Sequence, residues 1–362
     1  MGMMKKIILV CITLVLVAGA AVGLLALRFL QEPASSSTEV AVFEVRPGES
    51  FKTIARRLEG QGLVTSATKL DIYARVAGLA NKVRVGEYAI RRDSKPKDII
   101  NVLVSGKSIE YSVTVTEGSN RFEIADTLEK QGIIRKDEFL KLTQDPQFAQ
   151  ALLGEPLTSL EGYLFPETYH ITKFTGARGL VKMMVDRFRE NFAKVRMNPS
   201  VRMSRHQFIT LSSIVEKETG APEERAVIAS VFHNRLAKRM KLQTDPTVVY
   251  GVWEKTGVWN KNISRQDLIT PTRYNTYTLD GLPHGPISNP GLEAMQATAN
   301  PAQTEFLFFV SRNDGTHVFS KDYRQHQTAV TKFQLDRKAR EGKSWRDLKN
   351  RSAVPSKVIE AK

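Results

Sequence analysis

Cysteine is almost absent from this chain: there is one residue, Cys11, in 362. A single thiol excludes an internal disulfide framework. Because Cys11 lies in an apolar run, the rest of the chain also has no thiolate metal site and no cysteine nucleophile. Histidine is scarce as well, six residues with no His-Glu-x-x-His spacing, which argues against a zinc hydrolase. Acid is the minority charge: 38 Asp and Glu face 53 Lys and Arg, a net charge of +15. In a cytosolic protein that excess would suggest nucleic acid.

The amino terminus changes that reading. Lys5-Lys6 precede Ile7–Leu27, 21 residues without a charge, closed by Arg28. At about 1.5 Å per residue the run matches the roughly 30 Å hydrocarbon core of a bilayer. A cleaved signal peptide processed at Ala18-Gly19-Ala20 is the alternative, but the apolar run continues past that point, beyond a usual h-region. Val10 before Cys11 does not suit a lipoprotein. Lys5 and Lys6 favour a cytoplasmic amino end. Residues 1–29 are therefore expected to be a cytoplasmic stub and single-pass anchor in the cell inner membrane. Residues 30–40 then form a flexible linker, and the remainder lies extracytoplasmically. The anionic surfaces there are lipid headgroups and cell-wall polymer, with no role for nucleic acid.

The length leaves room for two or three domains, and an internal repeat marks the first. Val45-Arg-Pro-Gly48 with Ile54, Ala55, Leu58, Glu59, Gln61 and Gly62 recurs as Val115-Thr-Glu-Gly118 with Ile124, Ala125, Leu128, Glu129, Gln131 and Gly132, an offset of 70 throughout. Each copy reads as a short strand, a glycine turn and an amphipathic helix stopped by Gly62 or Gly132. Val85–Ile90 reads as a returning strand and Lys95–Val104 as another helix, so the first copy is expected to be a β-α-α-β unit. It resembles the LysM module, a fold that recognises glycans containing N-acetylglucosamine, over residues 41–107, with Leu63–Ala80 as an insertion. The second copy, within 108–155, shows no returning strand and reads as a bridging half-repeat.

Residues 156–336 hold the chemistry. Phe208–Gly220 has a helical apolar stripe of Phe208, Leu211, Ile214 and Val215, and Glu218 falls inside it. Glu216 sits beside Ser212 and Ser213, toward the polar edge. A carboxyl on a buried stripe is costly to desolvate. Either the helix frays and Glu218 reaches water or pairs with an arginine, or its burial serves catalysis. Leu160–Tyr169, rich in rings and acids, reads as a loop entering a strand; such a wall suits sugars as well as a packed turn. Gly176–Val195 reads as a core helix, and Pro222-Glu223-Glu224 starts another that ends near Lys241 and carries a packed His233. Phe306–Val310 and Thr316–Ser320 flank Asn313-Asp314-Gly315 as a hairpin. Arg337 onward reads as a charged tail with a terminal helix.

Together, Glu161-Gly-Tyr-Leu-Phe-Pro166, Ile214-Val-Glu-Lys-Glu-Thr219, Leu242-Gln-Thr-Asp-Pro-Thr247 and Tyr274-Asn-Thr-Tyr277 resemble the bacterial endolytic murein transglycosylase (YceG-like) family. Glu167 and His284 depart from its usual Asp and Pro. The resemblance implies an α+β fold with a single transmembrane helix, a small LysM-like domain and a larger catalytic domain. It also implies lytic cleavage of the MurNAc-β-1,4-GlcNAc bond of nascent peptidoglycan, giving 1,6-anhydroMurNAc ends without cofactor or metal. It implies Glu218 as catalytic acid, with Glu216 as the fallback, and contact with peptidoglycan synthases (penicillin-binding proteins). Motif membership adds Glu161, Tyr163, Gln243, Asp245, Tyr274 and Asn275 as substrate-binding candidates. The competing readings are a hydrolytic muramidase and a non-catalytic wall-binding scaffold. A pyridoxal-dependent lyase fits poorly with export and lacks an obvious Schiff-base lysine.

Overall fold

A computed structural model describes residues 2–258 and 262–336; the expected charged tail lies outside them. The fold is mixed α+β, in two compact units. The first runs up to Val113 and includes His170–Gly176; the second runs from Thr114 to Tyr169 and resumes at Ala177.

The first unit begins with α1 (Gly2–Gln31). Its segment Ile12–Gln31, with mean hydropathy 2.2, is long and apolar enough to cross a membrane, as an anchor or a signal sequence would be. The helix runs beyond Arg28, and its last turn behaves differently from the rest: Phe29 and Leu30 are buried in the core of this unit. Strand β1 (Val40–Val45) then pairs antiparallel with β2 (Gly86–Arg91), from Val40↔Arg91 to Val45↔Gly86. Between them lie α2 (Phe51–Gly60) and α3 (Ala67–Val76), so the Leu63–Ala80 insertion supplies the second helix of the β-α-α-β order. Helix α4 (Pro96–Ser105) follows β2. Phe43, Leu58, Leu70, Tyr88 and Ile99 fill the core. The returning segment His170–Gly176 places Lys173 against Glu87 (3.2 Å) and Glu44 (3.7 Å).

The repeat holds down to its caps. Helices α2 and α5 (Arg121–Lys130) start one offset apart, capped by Ser50 and Asn120. Gly62 and Gly132 have φ of 69° and 67°, the left-handed region open to glycine. Beyond them, Leu63 N–H reaches Leu58 O (2.9 Å) and Ile133 N–H reaches Leu128 O (3.1 Å), closing both helices as Schellman turns. Within 108–155 the second copy has no returning strand of its own; strand β3 (Tyr111–Thr114) instead pairs with β4 (Thr168–Ile171), which arrives only after α6 (Lys136–Thr143), α7 (Pro146–Leu153) and the Leu160–Glu167 loop.

In the second unit, α8 (Gly176–Phe192) and α9 (Arg205–Glu218) precede a short 3-10 turn (Pro222–Glu224) and α10 (Arg225–Ala237). Then come α11 (Asp245–Thr256), α12 (Arg265–Ile269), α13 (Leu292–Ala299), the hairpin β5 (Phe308–Ser311) and β6 (His317–Ser320), and α14 (Tyr323–Val330). Helix α9 is the central element. Its Phe208, Leu211, Ile214 and Val215 are fully buried, with α10, α11 and α13 packed around it. Its start is fixed by a reciprocal Ser204–Gln207 capping box. Gly162 lies against its flank with φ +86°; a Cβ there would stand 2.5 Å from Pro286 Cγ and 2.8 Å from Ile209 Cγ2. Gly162→Ala should therefore destabilise this unit by roughly 2–4 kcal/mol, read as a lower denaturant midpoint at unchanged slope.

Candidate active site

The site is built at the C-terminal end of α9, where the chain must leave the helix at Thr219. Glu218 keeps part of its residue surface, but its carboxyl is enclosed, and the Thr244 hydroxyl donates to Oε1. Thr244 is itself fixed. It is 2% exposed, its N–H donates to Thr276 Oγ1 (3.0 Å), and its carbonyl accepts from Thr247 Oγ1 (2.7 Å). Burial raises the Glu218 pKa above the ordinary glutamate value. The Thr244 hydrogen bond opposes this, Asp245 adds to it, and the charges of His317 and Arg235 pull it down, with a net rise. Thr244→Val should push that pKa higher, read from the titration of the carboxyl carbon by NMR.

Glu216 is half-buried too, but its carboxylate is already engaged, accepting from the Gly291 N–H (3.0 Å) at the start of α13. Burial raises its pKa as well, with Gly291 opposing. A helix N-terminus attracts a carboxylate, which gives Glu216 a structural occupation that Glu218 lacks. Lys217, between them, points its Nζ at Gly118 O (3.1 Å).

Two of the remaining candidates gather at Glu218. Gln243 and Asp245 flank Thr244 and are exposed. Gln243 has φ +47° and donates its N–H to Thr276 O (3.2 Å), a left-handed conformation that is uncommon outside glycine. Asp245 accepts from Tyr277 Oη (2.6 Å). Asp245 and Lys217 also line a 290 Å³ cleft walled by Pro246, Val249, Tyr250 and Ile287. Tyr274 is mostly buried, edge-on to Tyr250 at 4.7 Å, and burial pushes its phenol up to about 12.

The other three lie in the interior, with their polar groups bonded internally. Glu161, 2% exposed, accepts from Arg121 N–H (3.1 Å), Tyr250 Oη (2.9 Å) and Asn289 Nδ2 (3.1 Å). Tyr163 has no exposed surface, and its hydroxyl lies 3.1 Å from His206 Nδ1. Asn275 donates to Asp267, Leu268 and Thr270 carbonyls and accepts from Tyr277 N–H, so it builds the turn it sits in. Of these three, only Glu161 reaches the cleft lining, through the Tyr250 hydroxyl. Thr244, which donates to Glu218, and Tyr277, which donates to Asp245, were not singled out by sequence reasoning. Thr244 and Tyr277 stood within quoted motifs, and the signal there was a hydroxyl next to the chosen acid or amide.

With this geometry in place, comparison with known proteins identifies the class. A model of the YceG-like family matches residues 43–332, and the chain belongs to that family. The endolytic murein transglycosylase of Bacillus subtilis (strain 168) is 32% identical over 325 residues, spanning 84% of this chain and 88% of that protein. The endolytic murein transglycosylase of Streptococcus pneumoniae serotype 2 is 27% identical over 328 residues. That match covers 82% of this chain, which spans 59% of the pneumococcal protein's length. The crystal structure of a YceG-like protein from Listeria monocytogenes shares the fold, with a TM-score of 0.52 at 31% identity, covering 81% of this chain and 99% of that one.

Proposed function

We propose that this chain is a membrane-anchored endolytic lytic transglycosylase that cuts the MurNAc-β-1,4-GlcNAc bond of nascent peptidoglycan. Its class, a peptidoglycan transglycosylase, follows from family membership and from the names of relatives matching most of the chain. The observation that carries the finer reading is Glu218, a carboxyl whose pKa burial raises, held by Thr244 beside an exposed Gln243–Asp245 loop.

Ordinary glycosidases use two carboxylates; a lytic transglycosylase needs one, because the muramyl 6-hydroxyl is the nucleophile. Glu218 donates its proton to the departing glycosidic oxygen as the C1–O bond breaks. The resulting carboxylate, stabilised by Thr244, takes the 6-hydroxyl proton as that oxygen closes on C1. No water is consumed, no cofactor is required, and Glu218 ends protonated for the next cycle. An apolar pocket can hold a glutamate near pKa 6, as in lysozyme. Gln243 and Asp245 are placed to orient sugar hydroxyls, and Asp245 to offset positive charge at C1.

The apolar α1 supports an anchor in the inner membrane, with the chain that follows it on the extracytoplasmic side. The β-α-α-β order of the first unit supports a LysM-like glycan hold, and synthases of the same polymer are the expected partners. Digesting purified glycan strands and weighing the new ends tests the reading. Anhydro ends support it, whereas ends heavier by one water indicate a hydrolase. No new ends would leave a non-catalytic scaffold.

A further inference from the structure

A second cavity, of 490 Å³, opens beside the cleft that holds Asp245, and Lys217 lines both. The same elements wall the two. Asn120 faces the cleft and Ser119 the cavity, and on α11 Tyr250 and Trp253, one turn apart, divide in the same way. The shared lysine is the residue next to Glu218 on α9. The volume lies in the range of small-ligand sites. Trp253 gives the cavity an apolar base, 3% exposed and packed on Phe122 with ring centroids 4.5 Å apart. The rest of the lining is polar and carries both charges. Glu123, Thr127 and Lys130 recur at helical spacing, so one face of α5, the helix of the second repeat copy, forms a wall. Most of these polar groups are already engaged. The Thr116 and Ser119 hydroxyls bond each other (2.7 Å), Thr127 donates to Glu123 O (2.9 Å), and Glu123 Oε2 accepts from the Asn120 N–H (3.1 Å). Two are not: among the described residues, the side chains of Glu117 and Lys130 have no hydrogen-bond or ion-pair partner. Glu117 is nonetheless held in place, because its carboxyl packs against Gly291, where any Cβ would overlap it.

We propose that this cavity binds the stem peptide carried by the muramyl ring being cut, with Glu117 receiving the free ammonium of its diamino acid and Lys130 its terminal carboxylate. The inference rests on the reading of Glu218 as the acid of a peptidoglycan transglycosylase. The peptide hangs from the lactyl group of the same sugar whose C1–O bond breaks, so its site has to adjoin the acid. Lys217, one residue from Glu218 and common to cleft and cavity, makes the two adjoin. A neutral sugar is met by open hydroxyls and an exposed ring face. Here the hydroxyls are bonded within the wall, the ring is buried, and the open groups are one anion and one cation. That pattern fits a short peptide with an amine and a carboxylate. The half-repeat at 108–155 thereby contributes a wall to the substrate site.

The test digests three substrates with the full chain: strands bearing their peptides, the same strands with stem amines acetylated, and strands stripped of peptide by an amidase. Acetylation removes the ammonium charge and leaves the rest of the peptide. Scored by anhydro ends, kcat/KM on native strands should exceed that on acetylated ones about fivefold, the upper end for an exposed ion pair, and that on stripped ones about tenfold, mainly through KM. In Glu117→Gln acetylation should make little further difference, because the partner of the ammonium is already gone. Lys130→Gln should keep its response to acetylation but lose part of the preference over stripped strands. Equal rates on the three substrates in wild type overturn the proposal, and so does a Glu117→Gln variant as sensitive to acetylation as wild type. Variants that lose the same factor on all three make the cavity a sugar subsite or a structural element, which also overturns it. A binding arm is independent of cleavage: free muramyl tripeptide, titrated calorimetrically, should bind Glu117→Gln about fivefold more weakly than wild type. If no anhydro ends form from any substrate, the transglycosylase reading fails. If ends form but the tripeptide binds both proteins alike, the peptide site alone is lost.

Discussion

Glu218→Gln should abolish release of 1,6-anhydromuramyl ends while leaving the fold intact. Glutamine keeps the shape and can still accept from Thr244, but it has no proton to give. General acid–base help is worth about 10²–10⁴-fold, so mass spectrometry of the digest should fall at least that far. A variant that still releases anhydro ends at more than about a tenth of the normal rate would remove Glu218 from the acid role. The wild-type pH dependence has a fixed sign. The acid must be protonated, so kcat/KM falls as pH rises through the raised Glu218 pKa. Stability follows the same direction. A carboxyl whose folded pKa is raised binds more protons folded than unfolded in that window, so its contribution is present below the ordinary glutamate pKa and is lost as pH rises through the folded one. Glu218→Gln should remove this slope and make the enzyme less sensitive to alkaline pH as it loses activity.

Glu161→Ala should have the largest effect on stability. The carboxylate is almost inaccessible and joins Arg121 at the start of α5, Tyr250 on α11 and Asn289 ahead of α13. Arg121 is equally buried, with its Nε 3.8 Å from Glu161 Oε2. Deleting one partner of a buried pair leaves the other charge uncompensated, at a cost of about 3–5 kcal/mol. In a unit of this size the melting temperature should drop by roughly 10 °C, measured by calorimetry. A shift smaller than about 2 °C would show that Glu161 does not hold the unit together. Burial pushes its pKa up to about 7, opposed by Arg121. With the folded value above the unfolded one, the stabilisation is full at acid pH and fades as pH rises toward 7; Glu161→Gln should flatten that trend and cost less than alanine.

What the sequence made legible follows from how far each signal reaches along the chain. The stripe on α9, the paired glycine stops and the hairpin turn are local patterns, and all three appear at the expected residues. Strand β4 is not a local pattern. Thr168 meets Thr114 across 54 positions, and no periodicity in the second copy announces that its closing strand has been deferred. Burial is likewise invisible in a motif. Glu161, Tyr163 and Asn275 share motifs rich in rings and polar groups, as a sugar site would, yet those polar groups turn inward to carbonyls, an arginine and a histidine. Gln243 and Asp245 have the same kind of motif and face solvent. The helix wheel separated Glu216 from Glu218 by a few tens of degrees, but the useful distinction is that Gly291 occupies one carboxylate and Thr244 supports the other.

The return of His170–Gly176 to the first unit has a consequence for the order of events during synthesis. At about 5–20 residues per second, Lys173 emerges roughly 3–12 s after Val113. Until then Glu87 lacks its cation, Glu44 has only Arg46 (3.7 Å), and β3 has no strand to pair with. The first unit can gather its helices early, but its acidic edge is completed only when the second unit is already part-made. A ribosome stalled in the 114–169 interval would therefore present a nearly finished first unit with an open strand edge, the state most exposed to mispairing and to proteolysis.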